Sequence, residues 1–398
     1  MLSPSDTAYP MLKGDPSARE LTEIFTPTLF ELAFAEERAR EPVPLVGLLV
    51  CLKTFQRLGY FVNTPAVPDP IVRCIARAAG YLDIPEGFAT YDDRRGARSR
   101  HMELVRSWVG VSAYDREARR AMLKACVDIS RVREDLADII NFAIEELVRQ
   151  RYELPGFSTL FRGARTARAT VNRGYYARIA RALDSSAKER INQLWDPLSD
   201  DRYTNWDRVK SEPGQPTVKE IKRFVDHLNW LREQAGETNP LDGIPAVKVN
   251  RFAAEGRALN AARMNELTED KRYAVAAALL FRQRATAFDD GAQMLIRQMG
   301  KIEHSADEAL KTARTESAER ATELIVTLRD VTLAYRSAGP TETRLSAIGS
   351  YLGPDSEALL QRCEQHVALS RGNFVQQLPQ FFSHPRKALL LLLESLPL

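Results

Sequence analysis

The chain has 398 residues, 44% of them hydrophobic and 27% charged, enough for two or three domains and too long for a single core. A formal net charge of +3 and a pI near 8.6 exclude a globally basic protein, so an anionic partner must be met by a local patch. Cys51, Cys74, Cys126 and Cys363 lie far apart without CxxC spacing, which argues against a disulfide or zinc framework and for reduced core thiols in a cytoplasmic protein. The N-terminus lacks a secretory pattern, and no apolar run approaches the roughly 18 residues of a membrane span.

In chain order, nearly every periodic segment has helical spacing. Asp15-Pro16 and Thr26-Pro27 each put a capping side chain before a proline suited to the first helical position. Leu45, Leu48, Leu49, Leu52 and Phe55 mark one face of a longer helix that Gly59 closes. A proline-bearing extended stretch leads to a short helix over 71–79. The loop "DIPEGFATYDDRRGAR" follows, and Ser99 is placed to cap a helix that ends at Gly110.

Over 132–151 an apolar stripe runs through Leu136, Ile140, Ala143, Ile144, Leu147 and Val148. The chain then turns through "YELPG" and restarts at Ser158, a good N-cap. A helix, a short turn and a basic helix form the outline of a helix-turn-helix, which on its own is also that of any helical hairpin. The segment 195–216, "WDPLSDDRYTNWDRVKSEPGQP", reads as a boundary. Beyond it, Thr217 and Glu220 have capping-box spacing, and Ile221, Phe224, Val225, Leu228 and Leu231 line an apolar face. Helices are expected over 246–259 and 269–288, with one or two long ones over 293–335. No strand is expected. The terminal "RKALLLLLESLPL" has no polar tail, which suggests a piece of a longer protein.

Candidate chemistry is sparse. His101, His227, His304, His366 and His384 pair with nothing at metal-ligand spacing, and HExxH, P-loop and GxGxxG motifs are absent. Asp92-Asp93, Asp200-Asp201 and Asp289-Asp290 sit where aspartate usually caps or solvates. No catalytic residue and no metal ligand is assigned.

The basic signal is stronger. From 149 to 181 there are eight arginines (149, 151, 162, 165, 168, 173, 178, 181) against one acid, Glu153. Leu160, Ala164, Ala167, Val171 and Tyr175 share a helical face, with Arg162, Arg165 and Arg173 roughly opposite. Arginine in place of lysine favours bidentate contacts to phosphates or guanine edges, and Ser158 and Thr159 at the helix start can meet phosphate. Past Gly174 the pattern breaks, so Arg178 and Arg181 are expected on a separate helix. The competing reading is a solvated arginine face. A second cluster, Arg94, Arg95, Arg98, Arg100 and His101, opposes a helix dipole unless an anion binds, and Lys53 and Arg57, one turn apart, extend that surface or form a solvated pair.

In several of these segments the chain resembles the N-terminal half of the Tn-three family of replicative transposases. The likeness rests on "FTPTLFELAFAEERAREPVPLVGLLVCLKTFQRLGYF", "YDDRRGARSRHMELVRSWVG", "ELVRQRYELPGFSTLFRGARTARATVN" and "DGIPAVKVNRFAAEGRALNAARMNELTEDKRYAVAAALL". It implies an all-α, multi-domain protein with helix-turn-helix-like DNA-binding modules followed by a helical linker and dimerisation region. The corresponding division is 1–125, 126–195, a linker over 196–216, and 217–398. The implied partner is double-stranded DNA at the transposon's terminal inverted repeats, with a homodimer and a nucleoid location in the bacterial cytoplasm. Divalent magnesium belongs, on that resemblance, to a DDE-type RNase H-like domain that this chain lacks, so the chain itself needs no cofactor. The "ELPGFSTLFRGAR" match makes Ser158, Thr159, Arg162 and Arg165 the readers, with Arg168 and Arg173 beside them. "DRRGARSRH" adds Arg94, Arg95, Arg98, Arg100 and His101. The sequence departs from the family at Gly163, where a polar or acidic residue is usual. The alternative function is a helical interaction scaffold whose arginine face meets an acidic protein.

Overall fold

The structure is a computed structural model that describes residues 2–93, 95–196 and 203–396, with the side chain of Arg95 left out. It is all-α. Among the described residues no strand forms, and an isolated parallel bridge joins Ser112 to Tyr152. Two compact units result: Met1–Asp184 with Asn239–Ala278, and Ser185–Thr238 with Leu279–Leu398.

In the first unit, α1 (Leu29–Arg38), α2 (Pro42–Leu58), α3 (Asp69–Ala78) and α4 (Arg95–Val109) surround one core. The caps fall two residues later than the proline rule suggests. The Thr28 hydroxyl accepts from Glu31 N while the Glu31 carboxylate accepts from Thr28 N, satisfying two free amides at once; Ser17 and Glu20 do the same upstream. Helix α2 is the hub. Every residue in it except Pro42, Pro44, Gln56 and Arg57 is buried, as expected of a helix apolar on all sides. Gly59 ends it in the left-handed conformation at φ 73°. Helix α4 begins four residues before Ser99, which is therefore interior and caps nothing.

A second core lies among α5 (Arg116–Ser130), α6 (Leu136–Arg149) and α7 (Phe157–Ala182), with Tyr9 packed into it. The helices of the two cores divide between Val111 and Tyr114, so the division expected at 125 would fall inside α5. Helix α7 is continuous through Gly174 to Ala182, so Arg178 and Arg181 belong to it. One interior glycine without a proline costs about 1 kcal/mol, less than tertiary packing supplies. From 239 onward, α10 (Ala246–Ala258) is added to this unit.

In the second unit, α8 (Ser185–Asn192) and α14 (Arg386–Ser395) pack on α9 (Val218–Ala235). Residues 203–216, expected as linker, include a short helix whose Trp206 and Val209 are fully buried. Residues 197–202 of that stretch, with Asp200 and Asp201, lie outside the described residues. Thr217 caps α9 by accepting from Glu220 N, but the Glu220 carboxylate accepts from Gly214 N at 2.8 Å, so only half of the expected capping box forms. The helices expected over 269–288 and 293–335 are one, α11 (Glu269–Arg336), whose 68 residues span about 100 Å. No proline interrupts it. At Gly291 the missing side chain lets Leu396 and Phe224 approach. Helices α12 (Thr341–Leu352) and α13 (Ser356–Arg371) follow in the same unit.

His227, on α9, gives this unit a pH dependence. Burial first, then Arg208 and Arg223, push its pKa down to about 4, with Ser211 Oγ 3.3 Å from Nε2. The unfolded chain, with an ordinary histidine pKa near ~6.5, binds more protons over the interval between the two values. Stability of the second unit is therefore full above pH ~6.5 and falls as pH drops toward 4, by about 1–2 kcal/mol after allowance for partial exposure. Urea midpoints between pH 4 and 7 should show this slope, and His227→Gln should flatten it; an unchanged slope in the variant rejects the assignment.

Candidate nucleic-acid interface

Helix α7 is held on two sides. Leu160, Ala164 and Ala167 are buried against α5 and α6, and Gly163 joins them, because a Cβ at 163 would stand 2.8 Å from Met122 Cε. The residue at which the sequence departs from the family pattern is thus a close-packing position between two helices, not one that faces a ligand. The N-cap is Gly156 in place of Ser158, and the Ser158 hydroxyl makes no capping bond; it is exposed on the second helical residue, with Thr159 half-buried beside it.

The outward face carries Ser158, Arg162, Arg165 and Arg173. Arg162 and Arg165, three residues apart and both exposed, have no hydrogen-bond or ion-pair partner among the described residues. Arg173 is exposed with Nη2 3.4 Å from Thr170 Oγ1. Unpaired, adjacent guanidiniums on a rigid helix present planar forks of donors, the geometry that meets phosphate oxygens or a guanine edge.

Of the remaining arginines of the run, all but the exposed Arg151 have side-chain partners. Arg168 is half-buried and donates from Nη1 to Glu134 O at 2.8 Å, so it anchors α7 to the turn before α6 and does not face outward. Arg149 pairs with Glu146, whose carboxyl is held down at about 2 by Arg149 and Gln150. Arg151 ends the α6 turn at φ 56°. Arg178 donates to Asp242 O at 2.9 Å and Gly243 O at 3.3 Å, and Arg181 Nε to Ala177 O at 3.1 Å.

Sequence reading missed the lock behind this helix. Lys248 of α10 is fully buried, and its ammonium donates to Glu134, to Asn172 Oδ1 at 2.8 Å and to Arg133 O at 3.3 Å. Three donors thus meet three acceptors. Burial pulls its pKa down and Glu134 opposes the pull. Tyr176 and Phe252 meet nearby with ring planes tilted by 53° and centroids 4.7 Å apart, joining α7 to α10. A lysine in the first turn of an amphipathic helix carries no signal of such a role.

The second cluster largely dissolves into the fold. Arg94 lies outside the described residues, and Arg95 opens α4 with its side chain undescribed. Arg98 forms an ion pair with Asp92 at 3.0 Å and donates to Val62 O at 3.0 Å and Asn63 Oδ1 at 3.2 Å, while Asp92 also accepts from Thr64. His101 is buried with Nδ1 2.7 Å from the Tyr91 hydroxyl, and burial, then Arg100, lower its pKa. Arg100 is exposed, bonded to Gly96 O within its own helix. Lys53 is buried and paired with Glu31 at 3.2 Å, so it forms no surface with its neighbour Arg57, which is exposed. Among the described residues no group of three His, Cys, Asp or Glu side chains converges to hold a metal ion, and no helix is long and apolar enough to cross a membrane.

A family model described as a domain of unknown function, DUF4158, matches residues 3–167, which contain both cores and the outward face of α7 up to Ala167. The chain is 20% identical over 283 residues to the transposase for transposon Tn501 of Pseudomonas aeruginosa, covering 69% of this chain and 28% of the relative. It is 19% identical over 305 residues to the transposase for transposon Tn1546 of Enterococcus faecium, covering 76% and 31%. To the transposase for transposon Tn3926 of Escherichia coli it is 23% identical over 308 residues, covering 76% and 30%. The chain thus spans about 30% of the length of the curated relatives it matches.

Proposed function

We propose, from its similarity to the transposases of Tn501, Tn1546 and Tn3926, that the chain recognises the terminal inverted repeats of a transposon as the DNA-binding part of a Tn-three-type transposition machinery. The observation that carries the proposal is the unpaired, exposed pair Arg162 and Arg165 on a helix whose opposite face is locked into a three-helix core. Arg162 and Arg165 read base edges, with Ser158, Thr159 and Arg173 on flanking phosphates. Phosphate contacts supply most of the affinity and base contacts the discrimination. Arg57 and Arg100 are retained as peripheral phosphate contacts; Lys53, Arg98, Arg168 and His101 are not. Binding needs no metal on this reading, and magnesium would serve strand chemistry elsewhere in a full-length transposase.

The test is a titration of fluorescent duplexes, one ending in the inverted repeat of the transposon that encodes this chain and one scrambled. The expected result is a preference for the repeat, insensitive to EDTA. Log affinity should fall linearly with log salt at a slope of about −0.9 per neutralised phosphate. Equal affinity for both duplexes at moderate salt rejects sequence recognition. A partner captured from lysate that survives nuclease treatment and excludes DNA would favour the interaction scaffold instead.

A further inference from the structure

We infer that a second helix, α5, grips the DNA backbone beside the reader helix, through Arg116, Arg119 and Arg120. The inference rests on the DNA-binding reading of α7 and extends it to residues outside the arginine run.

The geometry begins with the way α5 and α7 lie together. Gly163 of α7 meets Met122 and Leu123 of α5, and twelve residues on, the Tyr175 hydroxyl lies 3.5 Å from Arg131 O just past the end of α5. The two helices therefore run in the same sense. One turn back from Met122 and Gly163, this arrangement sets Arg119 beside the first turn of α7, where Ser158 and Thr159 stand, with Arg162 in the turn that follows. Arg116, Arg119 and Arg120 are spaced i, i+3 and i+4 and share a side of α5. All three are exposed, and none has a hydrogen-bond or ion-pair partner among the described residues.

The acids nearby do not neutralise this side. The Asp115 carboxylate is turned inward as the N-cap, accepting from Glu117 N and Ala118 N at 2.9 Å. Glu117 is exposed but forms no ion pair with Arg120. Lys124, one turn beyond Arg120, is close enough to Glu146 of α6 to lower that carboxyl's pKa. Three free arginines next to two more on α7 form a continuous cationic face wider than one helix. The polyanion it fits is the sugar–phosphate backbone flanking the groove that α7 enters, contacts that position without reading sequence.

The experiment uses the full chain and the same two duplexes. In the triple variant Arg116→Gln, Arg119→Gln, Arg120→Gln, the salt slope should flatten by about 2–3, and affinity for repeat and scrambled duplex should fall by the same factor, about 10-fold or more, leaving the preference unchanged. A triple variant whose slope and affinity equal the parent's overturns the inference while leaving the α7 reading standing. A loss confined to the repeat duplex also overturns it, because these residues would then read bases. If the parent itself binds neither duplex, the DNA-binding reading fails and this inference falls with it. Circular dichroism of the triple variant should match the parent, since solvent-facing arginines without partners contribute little to folding.

Discussion

Replacing Arg162 and Arg165 together by alanine is expected to abolish the preference for inverted-repeat duplex while leaving the fold intact. Each guanidinium that makes a bidentate base contact contributes about 1–3 kcal/mol of discrimination, so the pair should cost at least about 30-fold in affinity for the repeat. Both side chains are exposed and bonded to nothing described in the chain, so thermal stability should stay within about 0.5 kcal/mol of the parent. The separation of the two readouts is what makes the test sharp. Arg168→Ala, three positions past Arg165 but tied to Glu134 O, should show the opposite balance: a loss of stability, with binding affected only through it. Anisotropy titrations and urea melts on the same preparations decide between them. Full repeat affinity in the double variant would remove α7 as the reader.

The second large effect is expected at Lys248. Lys248→Ala leaves Glu134, Asn172 Oδ1 and Arg133 O without their donor in a buried site, and breaking a buried pair on one side costs about 3–5 kcal/mol. The neutral, volume-matched pair Glu134→Gln with Lys248→Met should recover much of that loss, because an uncompensated carboxylate and not lost attraction dominates the penalty. Urea unfolding followed by far-UV circular dichroism is the measurement. A Lys248→Ala penalty below about 1 kcal/mol would show that solvent reaches Glu134 and that the cluster does not hold α10 to α7.

How far the interface could be read from residue order depends on which residue is asked about. For α7, helical spacing alone separated Leu160, Ala164 and Ala167 from Arg162, Arg165 and Arg173, and the structure keeps that separation. The same logic failed for Lys53, whose neighbours on α2 leave it on no open face; its ion partner Glu31 arrives from α1. It failed for His101, taken into the core by Tyr91, and for Arg98, claimed by Asp92 and Val62 O. Arg116, Arg119 and Arg120 do not stand out in the sequence because Asp115, Glu117 and Asp128 dilute the charge locally; only the sense in which α5 lies against α7 sets them beside the reader.

Residue order by itself determined the class of this protein: apolar positions at three- and four-residue steps, caps and a near absence of alternation leave only helices to build with, and the arginine run marks where an anion would be met. Tertiary structure decided which of the charged residues are free to meet it. A helical period records which side of an element is apolar, a local property. Whether a charge on the other side is solvated or neutralised depends on a complementary group brought from far along the chain, as Lys248 is brought to Glu134, and burial makes that encounter the larger energy.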